Sequence, residues 1–137
     1  MTPAGILETV LYADDLAAAE DFYVGVLGFT LHSTVPGRHI FFRCGGQMLL
    51  IFNPRETVKG VPPSALPVPA HGASGEGHVC FAASANEIVA WRVHLEQAGI
   101  AIEADFVWPA SGGRSIYFRD PAGNSLEFAE AKIWGLA

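Results

Sequence analysis

The stretch Gly113–Phe128, GRSIYFRDPAGNSLEF, reads as two strands folded about a tight turn. Ser115–Arg119 and Ser125–Ala129 alternate apolar and polar residues, and Asp120-Pro121-Ala122-Gly123-Asn124 between them carries turn chemistry. Earlier in the chain Gly37–Phe52, GRHIFFRCGGQMLLIF, repeats the plan: His39–Arg43, a Cys44-Gly45-Gly46 turn, then Met48–Phe52. Two such hairpins at corresponding places indicate an internal repeat. They also pose a question, because the later hairpin sets an acid, Glu127, between Leu126 and Phe128, where the earlier one has Leu50.

Working outward, each hairpin follows a strand–helix–strand unit. In Ile6–Leu31, Asp14 or Asp15 is placed to cap a helix whose apolar face is Leu16, Ala19, Phe22, Val26 and Leu27, with Gly28 as its stop. In Gly77–Ile102, Ser84 and Glu87 form a capping-box signature, Ile88, Trp91 and Leu95 the buried stripe, and Gly99 the stop. The expected fold is therefore α+β: two βαβββ modules forming a curved, cup-like mixed sheet with helices on its outer face. It is read as one domain over residues 1–137, with module one at about 5–52, module two at about 77–130 and a tail at 131–137. The connection at about 53–76 contains GVPPSALPVPAHGASGE, whose prolines favour an extended arm: a linker, a lid, or an element exchanged between subunits.

Composition narrows the function classes. Half of the 137 residues are apolar and 16% are charged, which suits a packed interior and not a disordered chain. A formal charge of −6 and the lack of a basic stripe exclude nucleic acid as an expected partner. No leader-like segment or membrane-length apolar run is visible, and Cys44 and Cys80 are too few for a disulfide scaffold. A cytoplasmic protein with buried, reduced thiols is expected.

Strand parity sorts the candidate site residues, because alternate side chains point to opposite faces. Leu126 and Phe128 oppose Ser125, Glu127 and Ala129; Ile116 and Phe118 oppose Tyr117 and Arg119; Val79 and Phe81 oppose His78 and Cys80; Leu7 and Leu11 oppose Glu8, Val10 and Tyr12. Each strand thus has one side suited to packing under helices and another carrying ionisable groups. Taken singly, each polar residue also has an ordinary explanation as part of a solvated sheet face or as a satisfied structural side chain.

The duplicated βαβββ plan, GHVCF at Gly77–Phe81 and YFRDPAGNSLE at Tyr117–Glu127 resemble the vicinal oxygen chelate superfamily: glyoxalase I, extradiol dioxygenases, fosfomycin-resistance enzymes and bleomycin-resistance proteins. The resemblance implies a divalent metal (Mn, Fe, Mg, Ni or Zn) held by Glu8, His78 and Glu127. The fourth place used by glyoxalase I falls on Leu50, which cannot coordinate, so three donors and open positions are implied. The histidine that extradiol dioxygenases carry upstream of this last hairpin is lacking in VWPASGGRS, Val107–Ser115. On this reading Glu127 and Tyr117 are catalytic, and Arg119, Phe41, Trp108 and His71 bind substrate. The implied function is a metal-assisted lyase, isomerase or dioxygenase-like reaction on a small molecule, in a homodimer. The alternative is a metal-free protein that sequesters small molecules, as bleomycin-resistance proteins do.

Overall fold

The computed structural model describes residues 1–136. The expected repeat is present as two four-stranded mixed sheets, one in each of two compact units, Met1–Gly77 and His78 onward. Unit 1 contains β1 (Glu8–Tyr12), α1 (Leu16–Glu20), β2 (Thr30–Val35), β3 (His39–Cys44), β4 (Gln47–Phe52) and α2 (Pro54–Thr57). Unit 2 contains β5 (His78–Ala82), α3 (Ala85–Gln97), β6 (Ala104–Val107), β7 (Arg114–Arg119), β8 (Ser125–Ala129) and a short 3-10 turn at Ala131–Trp134.

Both sheets follow one topology. The opening strand pairs in parallel with the last one, and the rest is antiparallel, giving the orders β1-β4-β3-β2 and β5-β8-β7-β6. The apolar side of each sheet packs under its helix: Leu49, Ile51, Phe42 and Ile40 in unit 1, and Leu126, Phe128, Ile116 and Phe118 in unit 2, are all 3% exposed or less. Burial of this size drives folding at about 25 cal/mol per Å² of apolar surface.

Local sequence accounts for most boundaries. Asp15 caps α1 by accepting from the Ala18 N–H, and Ser84 and Glu87 make the reciprocal capping box of α3. In the second hairpin Asp120, 6% exposed, accepts from the N–H groups of Ala122 and Asn124 and from the Asn124 amide. The Asp-Pro-x-Gly-Asn run is therefore a self-satisfied turn that fixes the register of β7 on β8.

Four expectations are corrected. The first helix does not run straight to Gly28: from Asp21 to Val26 it is a π-helix. The wider turn changes the buried face, so that Tyr23, absent from the expected stripe, is fully buried against Phe29 and Phe42 while Val26 is only half-buried. The last outer strand begins at Ala104, beyond Ile102. The arm is not extended throughout, since Pro54 with its preset φ and Asn53, accepting from the Arg55 N–H, start α2. Nor does the thiol-bearing residue Cys80 lie in the core; it is exposed because it shares the face of His78 and not that of Val79 and Phe81.

The arm is pinned where it returns. The His71 N–H donates to the Thr57 carbonyl at 3.1 Å, and the His71 ring bonds the Tyr12 hydroxyl at 2.7 Å through Nδ1. Gly72 lies so close to α2 that an added Cβ would sit 2.5 Å from Val58 Cγ1.

Candidate metal centre

Strand register shows what the repeat does with its polar face. The middle row of unit 2 is Cys80–Glu127–Tyr117, each directly opposite the next. The matching row of unit 1 is Val10–Leu50–Phe41, all hydrocarbon. Leu50 is thus the structural counterpart of Glu127, as the sequence alignment of the hairpins implies. Glu8 and His78 correspond in the same way, each opening a strand that pairs in parallel with the last strand of its sheet.

Glu127 is 4% exposed, in a strand whose opposite side, Leu126 and Phe128, is apolar. Its Oε2 lies 3.4 Å from His78 Nε2, and its buried Oε1 has no hydrogen-bond partner. The other ring nitrogen of His78, Nδ1, is 3.0 Å from the Ser125 carbonyl oxygen. A carbonyl only accepts, so Nδ1 carries the proton, and in the neutral ring Nε2 presents a lone pair toward the carboxylate. Two lone-pair donors facing one another require a proton or a cation between them. Metal–nitrogen and metal–oxygen bonds of about 2.0 to 2.2 Å at a tetrahedral angle separate two ligand atoms by about 3.4 Å. The spacing, the tautomer and the buried unpartnered oxygen all fit a metal edge, and the carbonyl behind His78 is the backing that metal-bound imidazoles use.

The neighbours of Glu127 respond to its charge. Burial, then the Glu127 carboxylate, push the Cys80 thiol up to about 12; the residue is exposed overall, but its sulfur is partly buried. The Tyr117 phenol is likewise pushed up to about 12, by burial first and then by a hydrogen bond and charge interaction with Glu127. Both groups stay protonated near neutrality, and the Cys80 thiol donates to the Phe81 carbonyl at 3.9 Å.

The remaining candidates are spread over both units. Glu8 is an exposed residue of β1, and among the described residues no group of three or more His, Cys, Asp or Glu is assembled to hold a metal. Phe41 stacks on His39 at 4.1 Å and meets Phe52 edge-on, and His71 lies 4.7 Å from Phe52, making an aromatic cluster of unit 1. Burial, then Arg38, lower the pKa of His39 and favour its neutral ring. Arg119 is held by Glu103 at 2.5 Å and by the Gly123 carbonyl at 3.0 Å. Trp108 donates its indole N–H to Ser115 Oγ at 2.8 Å. Phe106, 39% exposed beside Trp108 and Tyr117, was not among the residues singled out from sequence. Its place on the polar face follows only from knowing where β6 starts.

Comparison with known proteins agrees with this architecture. The family model of the Glyoxalase/Bleomycin resistance protein/Dioxygenase superfamily matches residues 5–128. A crystal structure of a lactoylglutathione lyase from Agrobacterium tumefaciens is 46% identical, with a TM-score of 0.94 over 99% of this chain and 100% of that one. A glyoxalase/bleomycin resistance protein/dioxygenase from Nocardioides is 27% identical, with a TM-score of 0.72 over 95% of this chain and 85% of that one. The virulence protein STM3117 from Salmonella typhimurium is also 27% identical, with a TM-score of 0.65 over 95% and 98%. No curated protein sequence matches the chain. By its family match and its 46% identical relative, the chain belongs to the glyoxalase/bleomycin resistance protein/dioxygenase superfamily.

Proposed function

We propose that this protein is a metal-dependent enzyme that acts on a small molecule with two adjacent oxygens, most simply as a lyase. The observation that carries the reading is the His78 Nε2–Glu127 Oε2 pair at 3.4 Å, with a buried carboxylate oxygen left over. Glu8, the counterpart of His78 in unit 1, is the third donor, in a homodimer whose sites are shared between copies. Similarity to a lactoylglutathione lyase at 46% identity supports the lyase class. The free thiols Cys44 and Cys80 suit a reducing, cytoplasmic setting.

Two carboxylates and one imidazole leave a divalent ion formally neutral and favour hard ions such as Mn²⁺, Fe²⁺ or Mg²⁺. When bound, such an ion supplies Lewis-acid polarisation of the substrate's oxygens. Around it, His78 is held in the donor tautomer by Ser125, and Tyr117 and Cys80, opposite Glu127 on the neighbouring strands, stay protonated near neutrality. Phe41 in unit 1 offers an aromatic face at the register position where Tyr117 stands in unit 2.

Elemental analysis after purification without chelators tests this. One equivalent of a divalent metal is expected in wild type and none in Glu8→Ala, His78→Ala or Glu127→Ala, with loss of lactoylglutathione turnover where wild type shows it. A metal-free wild type that still binds aromatic compounds sinks the enzyme reading and selects the sequestering one. The exposed rings Phe106 and Trp108 favour that second reading.

A further inference from the structure

Beside the His78–Glu127 pair, unit 2 carries a row of rings that the core does not require. His78, Tyr117, Phe106 and Trp108 share the polar face of the sheet by alternation and register. His78 and Tyr117 lie 6.2 Å apart with planes 20° from parallel, and Tyr117 and Phe106 lie 5.9 Å apart at 8°. Trp108 ends the row, 4.9 Å from Phe106 and inclined at 62°. Phe106 and Trp108 are 39% and 38% exposed and in contact with each other, a small aromatic patch on the polar face of the sheet.

Trp108 is nevertheless fixed. Its indole N–H donates to Ser115 Oγ, its backbone N–H to the Gly113 carbonyl at 2.7 Å, and its carbonyl accepts from Gly112 at 2.8 Å. An exposed ring already held in place loses little freedom when something stacks on it. The charges nearby point the same way. Arg114 and Arg119 are the cationic side chains of β6, β7 and β8, and they are engaged by Asp105 and by Glu103 with Gly123 respectively. A ligand with a polyanionic tail meets no uncommitted guanidinium on these strands, whereas a flat hydrocarbon meets an aligned aromatic surface. The buried, unpartnered Oε1 of Glu127 at the other end of the row marks where the polar end of a ligand belongs.

The geometry points to an aryl-binding ledge formed by Phe106 and Trp108, and to a substrate that joins a planar aromatic ring to an adjacent pair of oxygens. The orientation of the oxygens rests on the metal reading given above; the ledge does not. Tyr117 stands between the two ends, with its ring in line with Phe106 and its position directly opposite Glu127.

Isothermal titration with phenylpyruvate and pyruvate tests the ledge, since the two share the same oxygens and charge and differ by the ring. Each is titrated into the full chain in EDTA and again in Mn²⁺. Phenylpyruvate is expected to bind about tenfold tighter than pyruvate in both buffers, as two aromatic contacts allow. Phe106→Leu, at an exposed position and of similar bulk, and Trp108→Phe are each expected to reduce that preference to about threefold or less. Metal content and melting temperature of the Phe106→Leu protein should match wild type. Equal binding of the two acids by wild type, or an undiminished preference in a folded Phe106→Leu variant, overturns the proposal. Metal binding without ring preference removes the ledge and leaves the enzyme reading intact. Ring preference in EDTA from a protein that binds no metal does the reverse.

Discussion

Replacing Glu127 by Gln should make the metal-free protein more stable and the metal-loaded protein less so. Glu127 is 4% exposed and one of its oxygens is buried without a partner. A buried polar group left unpaired costs about 1 to 3 kcal/mol, and more when charged, while the neutral amide has the same shape and no charge to desolvate. Taking about 2 kcal/mol for the difference, and the entropy of unfolding of a chain this size, the melting temperature in EDTA should rise by about 6 to 10 °C. In Mn²⁺ at a hundred times its dissociation constant, wild type gains about 2.7 kcal/mol and the variant gains little, so the order reverses. Thermal and urea unfolding in the two buffers measure this crossing. If Glu127→Gln is the less stable protein in EDTA, then Glu127 is held by contacts within the fold, and its burial is not evidence of a ligand.

Two further outcomes follow from contacts away from the site. Asp105 is bound in bidentate fashion by Arg114 at 2.7 and 2.8 Å and is also met by Arg92 from α3; these hydrogen bonds, Arg114 first, hold its carboxyl below the usual range. A lowered folded pKa means the stabilisation is complete above the ordinary carboxylate range and is lost as pH falls through the folded value. Urea midpoints should therefore drop below about pH 4. Asp105→Asn should cost about 1.5 to 3 kcal/mol at pH 7 and flatten that dependence; an unchanged acid limb refutes the assignment. Gly113→Ala places a Cβ 2.5 Å from Ile133 Cγ2 and 3.3 Å from the Ile133 nitrogen, so it should cost about 1 to 3 kcal/mol by overpacking the C-terminal turn, read from the urea midpoint.

Much of this was legible in the residues themselves. Period-two alternation in Ser115–Arg119 and Ser125–Ala129, turn residues at fixed offsets and the Ser84/Glu87 cap are local signals, and local signals survive tertiary context. The correspondence of Leu50 with Glu127 was readable because duplication places the two hairpins in one frame. The π-turn was not readable: nothing in Asp21–Val26 announces an extra residue per turn, which is set by the packing of Tyr23 on Phe42. Arg119 looked available in sequence because its partner Glu103 lies 16 residues away on another segment. Parity assigns a face, but the partner that occupies a guanidinium is a long-range fact.

The two middle rows, Val10–Leu50–Phe41 and Cys80–Glu127–Tyr117, have a consequence for how the chain can change. Drift among aliphatic residues in the first row alters only packing, which relaxes gradually with volume. In the second row a step at Glu127 changes net charge at once, and a step at Cys80 or Tyr117 changes the neutral protic group standing opposite it. A gene carrying this duplication is therefore free to vary on one side and constrained on the other, so sequence divergence among descendants should fall unevenly across its two halves.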